Sequence, residues 1–168
     1  MFVTCLVGAR RRSNARVNPN DKKVQDDDRF LITEIISSLK KKHSDLFVIS
    51  YACDNGVGKI TKDICGELGI KFGEIVWYFH GDARWEPSET AVAYLKRNAT
   101  ALEMGDIFII LAETPEKDFL KRKGMVEDLV DRLKQKVVVN ENEARPYVVL
   151  DESGSILEGF KQNIIMEG

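Results

Sequence analysis

The sequence is poor in the residues that build metal and redox centres. It has three cysteines (Cys5, Cys53 and Cys65) and two histidines (His43 and His80) in 168 residues, none at metal-ligand spacing. No metal site is therefore expected. An odd number of scattered cysteines also excludes a disulfide framework and implies reduced thiols, so a cytoplasmic location is expected. No apolar run approaches the ~20 residues that span a bilayer, and Phe2–Val7 is too short for a signal h-region, so no membrane association is expected. A net charge of -2 provides no broad basic face, which argues against nucleic acid as the partner. Internal repeats, low-complexity tracts and linkers are also missing. What remains, 43% hydrophobic and 31% charged residues, is the composition of an ordinary globular protein. The length suits a single domain over 1–168.

The residues alternate between strand and helix patterns. Phe2–Val7 reads as a strand ending at Gly8, and Arg10–Asp28 as a long polar loop. Phe30–Lys42 carries Phe30, Leu31, Ile35, Ile36 and Leu39 at helical spacing. Three acids precede it and three lysines end it, which suits the helix dipole. Leu46–Tyr51 is a second strand, and Ile60, Ile64 and Leu68 mark a helix closed by Gly69. Ile75–Phe79 reads as a third strand, followed by a helix capped by Ser88 and running to Met104. Asp106–Leu111 is a fourth strand, Met125–Leu133 a helix, and Val137–Val139 and Tyr147–Leu150 late strands. "DESG" before Ile156 reads as a hairpin turn. This order predicts an α/β fold: one Rossmann-like domain, a mostly parallel sheet covered by helices on both faces.

In such sheets ligands bind beyond the carboxyl ends of the strands. There the sequence places "VGARRR", with Gly8, Ala9 and Arg10, and "DNGVGK", with Asn55, Gly56, Gly58 and Lys59. Glycine allows close backbone approach to an anion, and arginine offers a guanidinium fork to its oxygens. Neither run is a Walker A loop or a GxGxxG fingerprint. Either one, alone, reads equally well as a solvated turn. "YLKRNATALEMGDIFIIL" adds Arg97 and Asn98 about two helical turns before Asp106, and "GMVED" adds Gly124, Glu127 and Asp128.

Taken in order, these pieces resemble the SLOG superfamily, which includes the lonely-guy phosphoribohydrolases, YspA-type proteins and DNA-processing protein A. Lonely-guy proteins carry an arginine on the helix before an "AD-x-FI-x-L" strand, at the interval that separates Arg97 from Asp106. Their strand then enters "PGGxGTxxE". Here "AETPEKDFLKRKGMVED" takes that place. Only Gly124 remains of the glycine element, and the glutamate falls at Asp128 with Glu127 beside it. The "RN" pair is closer to the YspA and DNA-processing protein A pattern.

The resemblance implies nucleotide recognition, with cleavage of an N-glycosidic bond as the favoured reaction. Arg97 with Glu127 or Asp128 would be catalytic. Gly8, Ala9, Arg10, Asn55, Gly56, Gly58, Lys59, Asn98 and Gly124 would hold the ligand, Trp85 or Tyr78 could stack a base, and no cofactor is implied. A non-catalytic nucleotide sensor is the alternative, ahead of single-stranded DNA binding. The family's dimers, with the apolar succession Ala91–Tyr94, lead to an expected homodimer.

Overall fold

The computed structural model describes residues 1–8, 22–52, 56–76, 87–112, 125–151 and 153–166; for 22–25, 87–94 and 125 it describes the backbone alone. Among the described residues six strands form one sheet: β1 (Phe2–Gly8), β2 (Leu46–Tyr51), β3 (Lys71–Ile75), β4 (Ile107–Leu111), β5 (Tyr147–Leu150) and β6 (Ile156–Phe160). Their spatial order is β3-β2-β1-β4-β5-β6. Every pairing is parallel except β5 with β6. The central strands are apolar apart from the buried Thr4 and Ser50, because both faces are buried. Alternate residues serve opposite cores.

Leu6, Val48, Ile109 and Val148 pack under α1 (Lys22–Lys42) and α2 (Val57–Leu68), against Ile32, Ile36, Leu39, Ile60 and Ile64. Cys5, Ile49, Phe108, Ile110 and Val149 pack under α3 (Pro87–Met104) and α4 (Met125–Val139), against Ala101, Leu129, Val130 and Leu133. A short α5 (Asn163–Met166) adds Ile165 to the first core. The α/β fold with helices on both faces is thus as expected. The chain runs outward from β1 through β2 to β3, then returns to β4 on the other side of β1. That reversal sets the ends of Gly8 and Leu111, which are register partners, at the topological switch point.

Several boundaries differ from the sequence reading. α1 begins at Lys22, inside the segment expected as a loop, and its first turn holds no acid. The later half is anchored by burial of Ile32 while Phe30 is exposed, and adding helical residues to an existing helix costs little even where they are polar. β3 spans Lys71–Ile75 instead of Ile75–Phe79. Gly69 closes α2 in the left-handed conformation (φ 68°), and the chain enters an edge strand at once. Lys71 and Glu74 hide that strand's alternation, since they engage the Phe47 ring and Lys62. Residues 77–79 lie outside the described residues. Val137–Val139 is the last turn of α4, not a strand. α3 starts at Pro87, whose missing N–H is harmless in a first turn, so Ser88 is inside the helix.

The link from α3 to β4 explains Asp106. Its carboxylate accepts the Val3 N–H at 2.8 Å, and its own N–H donates to the Val3 carbonyl at 2.7 Å. The Arg145 guanidinium donates to the neighbouring Gly105 carbonyl. Asp106 therefore ties the amino ends of β1 and β4 together, at the end of the sheet opposite the crevice.

Candidate functional site

Two groups of residues meet the carboxyl end of the sheet. The first belongs to the α2 side. Gly56 holds a backbone of φ 79° and ψ -157°, which favours glycine, and among the described residues no side chain caps the helix that follows. Gly58 is buried in that helix's first turn. Gly8 lies directly against it: a β-carbon added there would come within 2.7 Å of Val57 Cγ2. The absence of a side chain at Gly8 thus lets the start of α2 approach β1. Lys59 extends along its own helix to Asp63 at 2.8 Å, an exposed pair one turn apart.

The second group lies between α3 and α4, on the other face. Asn98 is fully buried. The Tyr51 hydroxyl, at the carboxyl end of β2, donates to Asn98 Oδ1. Asn98 Nδ2 donates to Asp128 Oδ2 at 2.8 Å, and Arg132 Nε donates to the same oxygen at 2.9 Å. An acceptor-only carboxylate fixes the amide orientation, and the amide oxygen in turn makes Tyr51 the donor. Arg97 spans the Tyr51 ring with its guanidinium carbon 6.0 Å from the centroid. Its Nε is buried and has no hydrogen-bond partner among the described residues. Glu127 is half-buried in the same first turn of α4 as Asp128.

Burial is the main cause raising the Tyr51 pKa well above that of an ordinary phenol, and nearby Cys5 adds to it. Asp128 pushes the same way, while the guanidiniums of Arg97 and Arg132 oppose it. The phenol therefore stays protonated and keeps its donor role.

Of the residues chosen from sequence, Asn98 and Asp128 are hydrogen-bonded to each other, and Arg97 joins them through the Tyr51 ring. Gly8, Gly56 and Gly58 gather at the start of α2, on the opposite face of the sheet. Ala9, Arg10, Asn55 and Gly124 lie outside the described residues, as do Tyr78 and Trp85. Sequence reasoning missed Tyr51 and Arg132. Tyr51 is a phenol closing the mostly apolar "LFVISY", and Arg132 stands four residues after Asp128, the helical ion-pair spacing. The cluster can present a guanidinium beside a carboxylate, a pair suited to an anionic ligand bearing hydroxyls.

In comparisons with known proteins, no family model matches the chain and no curated relative is found. Among the described residues, no helix is long and apolar enough to cross a membrane.

Proposed function

We propose that the protein recognises a nucleotide or nucleotide-derived small molecule at the carboxyl ends of β1, β2 and β4, and hydrolyses the N-glycosidic bond of a nucleoside monophosphate or a related nucleotide. The observation that carries this reading is the Arg97 Nε–H, buried over the Tyr51 ring without a hydrogen-bond partner among the described residues. An unsatisfied buried donor costs ~1–3 kcal/mol, and a ligand oxygen would remove that cost. The SLOG resemblance assigns its arginine to the same position. As the base leaves, oxocarbenium character grows on the ribose, and Asp128 or Glu127 is the carboxylate at hand to stabilise it. The uncapped start of α2 with Gly56 and Gly58 suits a phosphate.

A sensor is the second reading, favoured by the engagement of Asp128 with both Asn98 and Arg132. A carboxylate already matched by an arginine has less to offer a developing cation. Incubation with a panel of nucleoside monophosphates and cyclic nucleotides, followed by chromatography for free base and by thermal-shift binding, separates the two. Stabilisation with release of base supports the hydrolase. Stabilisation without base leaves the sensor, and no stabilisation by any nucleotide overturns both.

Arg97→Ala should weaken nucleotide binding by ~1.5–3 kcal/mol, the scale of a charge-assisted hydrogen bond. In the hydrolase, Glu127→Gln or Asp128→Asn should lower kcat far more than affinity. The working unit in this reading is a cytoplasmic homodimer formed through α3, and light scattering that shows a monomer at high micromolar concentration would refute that part.

A further inference from the structure

Tyr51 touches both arms of the α3–α4 cluster from a third element. Its ring lies under the Arg97 guanidinium, and its hydroxyl donates to Asn98, the next residue on α3. Asn98 passes the connection to Asp128 on α4, where Arg132 closes it. β2, α3 and α4 are joined by this one side chain and the amide it orients. We infer that Tyr51 is a positioning residue, which holds the Arg97 guanidinium in the orientation that meets the ligand.

The inference rests on the reading of Arg97 as a ligand-contact residue, and three features support it. Arginine has several rotatable bonds, and ordering it costs side-chain entropy that a fixed aromatic platform pays in advance. The platform cannot turn freely, because its hydroxyl is committed to Asn98 Oδ1. Asn98 cannot flip, because its amide faces a carboxylate that only accepts. Every bond in the relay thus points one way, from the phenol to Asp128. The Arg97 Nε–H is left as a buried donor held ready above the ring.

Tyr147 supplies an internal control. It is a second buried tyrosine in the same core, and its hydroxyl reaches Glu158 at 3.4 Å on the β5–β6 side. Tyr51→Phe and Tyr147→Phe each delete one hydroxyl from that core.

The test reads the Arg97 Nε–H proton by nuclear magnetic resonance in the full chain, assigned by its loss in Arg97→Lys. Adenosine monophosphate and the other nucleoside monophosphates are titrated in parallel. In the wild type this proton should exchange slowly. Tyr51→Phe should speed its exchange and weaken nucleotide binding, each by about tenfold, while the fold is retained. Tyr147→Phe should leave both unchanged, and Asp128→Asn, which weakens the relay at its far end, should reproduce the faster exchange. Exchange in Tyr51→Phe equal to wild type overturns the inference. So does an equal loss in Tyr147→Phe, or a wild-type proton that exchanges like one on a surface arginine. If the exchange contrast holds but no nucleotide binds, the nucleotide reading falls and the positioning role of Tyr51 stands.

Discussion

A β-carbon added at Gly8 would stand 2.7 Å from Val57 Cγ2 and 3.0 Å from the Leu111 carbonyl oxygen. Neither neighbour is the free end of a flexible chain. Gly8→Ala should therefore lower stability by about 1–3 kcal/mol, read as a shift of the urea midpoint. In the sequence, Gly8 looks like a phosphate-approach glycine. In the fold its missing side chain accommodates Val57, so Gly8→Ala also separates the two roles: lost stability with unchanged nucleotide affinity is the signature of packing alone. Cys5 makes a second prediction at this scale. Burial raises its thiol pKa from 9.0 to about 12. A folded state that binds this proton more tightly is favoured fully below pH 9 and loses that advantage as pH rises toward 12. Stability should fall across that window by up to about 1.4 kcal/mol per pH unit for each such thiol. Cys65, also raised to about 12, behaves the same way. Cys5→Ala should flatten the decline measured by denaturant unfolding at pH 9 to 12.

Between elements, the α3–α4 contact is carried by a polar latch as well as by Ala101, Leu129 and Val130. Asn98→Ala removes the amide's bonds to Tyr51 and Asp128, each of which loses a partner. The expected cost is about 1–3 kcal/mol. A double-mutant cycle of Asn98→Ala with Tyr51→Phe should show non-additivity beyond 0.5 kcal/mol, since the two share one bond. Element type was legible wherever an apolar period was long: α2, β1, β2 and β4 lie where periodicity sets them. It failed where local preference and packing disagree. The valines at 137–139 favour a strand, yet the helix continues through them, with Val138 and Val139 86% and 83% exposed. β3 went unread because Lys71 and Glu74 put a charge on each face of a short edge strand and break its apolar alternation.

Across the whole sheet, protection should fall from centre to rim. β4 is flanked by β1 and β5 and buried on both faces, whereas β3 and β6 each have a single neighbouring strand among the described residues. Native-state hydrogen exchange should find Ile109 and Ile110 amides among the slowest and those of β3 and β6 much faster. Equal protection across the six strands would contradict this arrangement. The sequence by itself determined the class of the molecule, because strand–helix alternation with continuous apolar strands has few solutions besides a covered parallel sheet. Arg97, Asn98 and Asp128, with Glu127 beside it, were pointed to by the resemblance of the sequence to the SLOG pattern. Which of these residues meet was decided only by the tertiary structure. Asn98 and Asp128 are thirty positions apart and Tyr51 is forty-seven from Asn98, so their bonds exist only because β2, α3 and α4 converge. A hydrogen bond needs an approach of about 3 Å, and no local pattern along a chain encodes a distance between elements that fold separately.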